Sequence, residues 1–273
     1  MLKQVGQFQH ATERKGESSA TYTRETEGKE QPGPSAKLEE TIIDVTGYIE
    51  QKVEEIRAKS HVNWLPYYKA GLITQKDYSF ITGFQHTRSR EERDLLIDYF
   101  KEQGFQSFVV VVRRVCLVEE IQKFLVLIDD MLKEDLSRVD NFKPEETHPW
   151  RPFSDLLSCT DPFVSNMAGR IVAKLITGGK GRPERPDREF YMSWIKDGLR
   201  HDNRYLNSVS RCLSRMLRVD EYRRQFMAMN GVFRIVQLLS SGIRPQAQYM
   251  FCFNLWLASF SPSVTEKLSR WDS

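Results

Sequence analysis

Apolar side chains recur along this chain at helical spacing, most clearly over residues 230–262. Val232, Ile235, Val236 and Leu239 stand at i, i+3, i+4 and i+7, which is one face of an α-helix. Asn230-Gly231 punctuates its start and Ser240-Ser241-Gly242 its end. Pro245 follows at a first-turn position, where proline is tolerated, and opens a second helix. Tyr249, Phe253, Trp256, Leu257 and Phe260 give that helix a broad apolar surface, which must be covered on more than one side. A helix, a short turn and a very apolar helix make a unit that packs between neighbours of its own kind.

The same grammar runs through the rest of the chain. Thr41 and Asp44 stand at capping-box spacing before a stripe of Ile42, Val45, Ile49, Val53 and Ile56. The opposite face carries Glu50, Lys52, Glu54 and Arg57, a pattern that either docks on the body of the protein, the expected outcome, or binds a partner. Trp64, Tyr67 and Tyr68 anchor a short element over 61–72. Thr74 with Asp77, and Ser89 with Glu92, open two more helices. The first ends near Gln85, and the second carries Leu95, Leu96, Tyr99 and Phe100 to a stop at Gly104. The run Phe108-Val109-Val110-Val111-Val112 has the β-branching of a strand but no partner strand, so 105–118 reads as a buried helix. A long helix over 118–139 turns Ile121, Phe124, Leu125, Ile128, Met131 and Leu132 inward. After a short helix at 150–157, Asp161-Pro162 forms a strong start pair for a helix with Phe163, Met167, Ile171, Val172 and Leu175 on its apolar face. Further helices are expected over 188–199, 204–217 and 219–229, and one more from Ser263.

Leu132, Ile176, Leu217 and Leu257 each close the long apolar helix of a unit, at separations of 44, 41 and 40 residues. A period of about 40–47 residues is that of HEAT and armadillo repeats. The expected fold is therefore all-α, a right-handed α-solenoid of HEAT/armadillo-like repeats over 40–273. Residues 1–39 are rich in Gln, Glu, Lys, Ser, Thr and Gly, with few apolar side chains, and are expected to be disordered.

Charge and composition exclude several functions. A net charge of +3 on 273 residues is too small for a nucleic-acid reader. The longest apolar runs are too short to span a membrane, and no secretory signal opens the chain. Cys116, Cys159, Cys212 and Cys252 lie far apart with no CxxC pair. Three of them, Cys116, Cys212 and Cys252, sit in apolar helical stretches and are expected to be reduced and buried, which suits a cytoplasmic protein.

No catalytic chemistry emerges. Gly178-Gly179-Lys180-Gly181 lacks the Ser or Thr of a Walker loop and reads as a helix end. Asp129 and Asp130, adjacent on a helix, diverge by about 100° and are expected on a solvated face. His10, His61, His86, His148 and His201 show no metal-binding spacing. The chain is thus expected to have no catalytic site, no cofactor and no metal.

Residues 180–224 hold 12 Lys and Arg against 7 Asp and Glu. Arg204, Arg211, Arg215 and Arg218 fall on one side of a helix whose other side is apolar, which suggests either a solvated face or a docking surface for an acidic partner helix.

Seven segments together resemble one family. They are Val62-Asn63-Trp64, Ser89-Arg90-Glu91-Glu92, Ile128-Asp129-Asp130-Met131-Leu132, Asp161-Pro162-Phe163, MAGRIVAKL at 167–175, MLRVDEYR at 216–223 and WLASFSP at 256–262. In order and spacing the chain from about Lys52 to Arg270 resembles the H subunit of the vacuolar-type proton-pumping ATPase (V-ATPase). The resemblance implies a non-catalytic, helical-repeat regulatory subunit of the soluble sector, bound to the peripheral stalk on the cytosolic face of vacuolar and other endomembranes, without inserting into them. The family adds a C-terminal lobe that helps couple ATP hydrolysis to proton flow. This chain stops at Ser273, partway through the repeat lobe, so stalk binding is the expected role and its last apolar helix is expected to fray. The other reading is a generic armadillo-type adaptor that binds peptide segments.

Overall fold

A computed structural model describes residues 47–142, 148–179, 181–262 and 265–266, all within one compact unit, Thr41–Ser273. The expected disordered extension, the Thr41 capping box, Lys180 and most of the helix expected from Ser263 lie outside the described residues. Among the described residues every regular element is helical.

The first described helix is α1 (Tyr48–Arg57), which buries Ile49, Val53 and Ile56 of the stripe read from the sequence. A short α2 (Leu65–Lys69) follows the buried Trp64, whose indole Nε1–H donates to Gln85 Oε1 at 2.9 Å. Helix α3 (Gln75–Gln85) opens with a full capping box: Thr74 accepts from the Asp77 N–H while Asp77 accepts from the Thr74 N–H. Helix α4 (Arg90–Phe100) is capped by Ser89, which accepts from the Glu92 N–H. The Glu92 carboxylate reaches back to the Arg88 N–H at 2.6 Å.

The residue that ends α4 is Lys101, held at φ 48°, and α5 (Glu102–Arg114) starts at once. Gly104, expected as the stop, instead lies inside α5, where its missing side chain lets the helix press against the Phe80 ring. The valine-rich run is helical, with Phe105, Phe108, Val111 and Val112 buried. Packing decides here over β-propensity, because aromatic rings from α3 cover this face.

Next come α6 (Val118–Glu134), a 3-10 turn at Leu136–Asn141, α7 (Arg151–Ser154) and a second 3-10 turn at Asp155–Ser158. Helix α8 (Pro162–Gly178) starts at the Asp161-Pro162 pair, with the Asp161 carboxylate accepting from the Val164 N–H at 2.8 Å. Every one of its residues from Phe163 to Ile176 is buried. The remaining helices are α9 (Arg185–Gly198), α10 (Leu206–Met216), α11 (Asp220–Ala228), α12 (Gly231–Ser240) and α13 (Pro245–Ser259). Asn230 takes the left-handed conformation, φ 58°, to turn α11 into α12.

Helices α6, α8, α10 and α13 stack each on the next, and the shorter helices pack beside them, α9 on α10 and α12 on α13. The four leucine and isoleucine anchors are all buried in this stack. The chain is a helical-repeat solenoid.

Two expectations about α13 and the thiols are corrected. The side of α13 that packs on α10 is Ala247, Met250, Phe251, Asn254, Leu257 and Ala258, while Tyr249, Trp256 and Phe260 are about half exposed. Of the thiols only Cys212 is buried, whereas Cys116 and Cys252 are exposed. For α13 and its Cys252 the cause is that a helix apolar on all sides carries no periodic mark of which side faces the core, whereas Cys116 falls in the link between α5 and α6.

A Cβ added at Gly104 would stand 2.7 Å from the Phe80 ring, which is itself enclosed by Phe84, Phe100 and Phe108. Gly104→Ala is therefore expected to destabilise the fold by about 1–3 kcal/mol through overpacking. Urea unfolding would show this as a lower midpoint at unchanged slope. An unchanged midpoint would mean that the ring gives way freely.

Candidate partner-binding surface

The four arginines singled out in the sequence do not form one exposed face. Arg204 lies just before α10, exposed, with its guanidinium 5.9 Å from the centroid of the Tyr48 ring of α1. Arg211, inside α10, is about 20% exposed, and its Nη1 stands 3.8 Å from the Glu50 carboxylate of α1. Arg215 is half-buried beside Tyr191 and Cys212. Arg218 is exposed, one residue past the C-cap Leu217. Helix α10 is an interior element packed on α8, α9 and α13. What a helical wheel marks as its polar side is partly covered by α1.

That contact belongs to a larger charged cluster. Asp129 of α6, expected on a solvated face, is fully buried. Its Oδ1 accepts from Lys174 Nζ of α8 at 2.7 Å, and its Oδ2 faces Arg170 Nη2 at 3.3 Å and Lys133 Nζ at 3.4 Å. Lys174 also donates to the Asp129 backbone carbonyl at 3.1 Å. Arg170 turns its other nitrogen to Glu50 of α1 at 2.6 Å. The divergence expected of the adjacent carboxylates is real, for Asp130 points away and takes both Nη2 and Nε of Arg57, at 2.6 and 3.1 Å. Such a bidentate pair fixes the position of the C-terminal turn of α1.

Helix α1 therefore lies along a groove formed by α6, α8 and α10. Tyr48 packs edge-on against Tyr205 at the start of α10, Glu50 meets Arg170 and Arg211, and Arg57 meets Asp130. Three apolar side chains are a small anchor for a helix of ten residues, whose ordering is costly. The charged contacts thus carry much of its docking.

The electrostatics follow from the imbalance of cations over anions. Burial alone would raise the Asp129 carboxyl, but Arg170, Lys174 and Lys133 together hold it far below the usual carboxylate range. Arg170 stays charged in spite of burial because Asp129 and Glu50 face it. Lys174 is the cation that loses. Burial pushes it down to about 8, with Asp129 opposing and Arg170 reinforcing the shift.

The sequence missed this cluster, although a signal was present. Asp129, Arg170 and Arg211 are spaced 41 residues apart, the repeat distance itself, so they occupy equivalent places on successive stacked helices.

Because its folded value is depressed, the contribution of Lys174 to stability is complete above 10.5 and is lost as pH falls through about 8. Between those values stability rises with pH on its account, since the unfolded chain holds the extra proton. The contribution of Asp129, also depressed, is present above its ordinary 3.8 and lost only in strong acid. Asp129→Asn is expected to cost about 3–5 kcal/mol by leaving buried cations uncompensated. It should also move the Lys174 midpoint below 8, as read by NMR titration of the lysine side chains. A midpoint near 10.5 in the unaltered chain would show that Lys174 reaches water.

Among the described residues no cluster of three or more His, Cys, Asp or Glu could hold a metal ion, and no helix is long and apolar enough to cross a membrane. Residues 47–272 match the family described as the H subunit of the V-ATPase. The V-type proton ATPase H subunit of Drosophila melanogaster is 34% identical over 234 residues, covering 84% of this chain and 49% of that protein. A probable V-type proton ATPase H subunit of Caenorhabditis elegans, the one numbered 2, is 32% identical, covering 83% of this chain and 50% of its own length. A probable V-type proton ATPase H subunit of Oryza sativa subsp. japonica is 23% identical over 241 residues. The chain spans about half the length of these curated relatives. A family match running from Gly47, at the head of α1, past the last described helix leaves one assignment: the chain belongs to the family of the V-ATPase H subunit.

Proposed function

We propose that this chain is a non-catalytic, regulatory subunit of a V-type proton ATPase that acts by binding other pump subunits, chiefly those of the peripheral stalk. The family match over the whole described solenoid carries this reading. Stacked repeats suit the role, because a solenoid presents a long, shaped surface whose individual units vary while the core stays constant. In this role the chain sits on the cytosolic face of acidifying membranes without inserting into them, and supports ATP-driven proton transport by holding partner subunits in place. Arg204 and Arg218, the two exposed members of the basic set, supply charge that steers an acidic partner helix toward it. Arg211 and Arg215 serve the interior.

Tagged chain incubated with cytosol containing detached soluble pump sector is expected to recover stalk subunits, identified by mass spectrometry, and to hydrolyse ATP only at background when isolated. Recovery of no pump subunit would sink the reading. Arg204→Glu with Arg218→Glu should lower recovery several-fold at low salt and flatten its salt dependence, since steering by surface charge is screened. An unchanged salt dependence would remove the two arginines from the contact while leaving membership of the pump intact.

A further inference from the structure

One cleft in the described surface holds cations without matching acids. It has a volume of about 190 Å³ and lies between the C-terminal turn of α1, the link that follows it, the end of α3 and the middle of α6. Its floor is apolar and aromatic: Ile56, Val62, Trp64 and Phe124 line it, and Trp64 packs edge-on against Phe124 with ring centres 5.5 Å apart. That floor is held in place by Gln85, which accepts from the Trp64 indole and donates from Nε2 to the Val62 carbonyl at 3.0 Å. At one end of the rim Arg57 and Asp130 neutralise each other. The rest of the rim carries Lys59, Ser60, His61 and Lys123, whose side chains make no ion pair or hydrogen bond among the described residues. His61 stands 4.6 Å, ring centre to ring centre, from His86 at the C-cap of α3. Desolvation in the cleft, then His86 and Lys123, push its imidazole below the ordinary value, and no carboxylate offsets them. Lys123 is half-buried. An ammonium so placed, beside aromatic rings and without a counter-ion, is a charge imbalance that an anion relieves.

We propose that this cleft binds a small aromatic phosphate monoester, its ring against Trp64 and Phe124 and its phosphate among Lys59, His61 and Lys123. The choice of anion follows from the donors. A carboxylate is best served by the planar fork of an arginine, and the one arginine here is already taken by Asp130. Separate lysine ammonium groups act as point charges, which suits a phosphate with its three outer oxygens and a charge of about −2 at neutral pH. The Ser60 hydroxyl and the His61 ring add two further donors at the same rim. The choice of body follows from the floor. A dry cavity of about 150 Å³ takes up benzene, so this cleft has room for one aromatic ring with its phosphate at the mouth. A bound dianion favours the charged imidazole, so ligand binding and protonation of His61 reinforce each other. The site is separate from the interior cluster around Asp129 and independent of any pump subunit.

The test titrates the whole 273-residue chain with phenyl phosphate, followed by calorimetry and by NMR of the histidine and tryptophan side chains. The signals of His61 and Trp64 are expected to shift saturably while those of His201 and Trp194 stay in place. Saturating phenyl phosphate should raise the His61 titration midpoint. Lys123→Ala should weaken binding about ten-fold or more, and Lys59→Ala, at an exposed position, about three-fold. Inorganic phosphate, which lacks the ring, and benzoate, which lacks the phosphate, should each bind several-fold more weakly than phenyl phosphate. A peptide carrying phosphotyrosine presents the same group and should bind no more tightly than phenyl phosphate. The absence of a saturable shift at His61 and Trp64 in the unaltered chain overturns the proposal, and so does unchanged affinity when Lys59 and Lys123 are both replaced. Benzoate binding as tightly as phenyl phosphate overturns the phosphate assignment, and inorganic phosphate doing so overturns the ring. Tighter binding of the peptide overturns the assignment to a free small molecule.

Discussion

The Asp129 carboxylate is the constraint on which the arrangement of this solenoid depends. It is fully buried, bonded to Lys174 and flanked by Arg170 and Lys133. Stacked apolar helices can slide past one another by a turn, about 5.4 Å, and still bury comparable surface. A buried carboxylate cannot, because such a slip leaves it without its ammonium in a medium that tolerates no lone charge. The pair contributes little net energy against an apolar equivalent, but it makes the correct register of α6 on α8 far better than its neighbours. Through Arg170 the same cluster reaches Glu50 and so places α1.

A second clasp does the equivalent work further along. Asn254 of α13 is fully buried, and its Nδ2 donates to Ser210 Oγ at 2.9 Å while its Oδ1 accepts from Ser214 at 2.6 Å, both on α10. Asp129 and Lys174 are 45 residues apart, and Asn254 lies 44 and 40 from its serines. Each clasp thus joins a stacked helix to the equivalent one in the next repeat. One uses charge and the other amide and hydroxyl groups, yet both satisfy a buried polar group only at the correct register. Between these two clasps, α8 meets the following unit through Tyr191 of α9, whose hydroxyl donates to the Gly169 carbonyl at 2.7 Å. Gly169 permits this approach, since a Cβ there would stand 2.4 Å from the Trp194 ring.

What could be read from the sequence was whatever is local. Helical period, the Thr74 and Ser89 caps and the Asp161-Pro162 start all depend on a few neighbouring residues, and all appear in the structure. The repeat period was legible because one long apolar helix recurs in each unit. Features that depend on contacts between units were not. Gly104 looks like a stop to its neighbours, and only the Phe80 ring, 24 residues away, makes it a point of close packing. Asp129 and Arg211 look solvated on a wheel, because the wheel of one helix knows nothing of its neighbours, α8 over Asp129 and α1 beside Arg211. The aromatic residues of α13 gave no preference between faces, and the structure turns Tyr249, Trp256 and Phe260 outward.

The same distinction separates the stacked helices from the helix that docks on them. Helices α6, α8, α10 and α13 meet one another through buried surface and buried polar clasps, so they respond little to changes in the solution. Helix α1 meets them through three apolar side chains, a largely buried pair of Glu50 with Arg170 and, at the rim, Arg57 with Asp130, about 41% and 31% exposed. The rim contact of Arg57 with Asp130 is screened by salt, whereas the buried pairs beneath are screened much less. Salt therefore acts first on the C-terminal turn of α1, where charge meets solvent, and leaves the register of the stack in place.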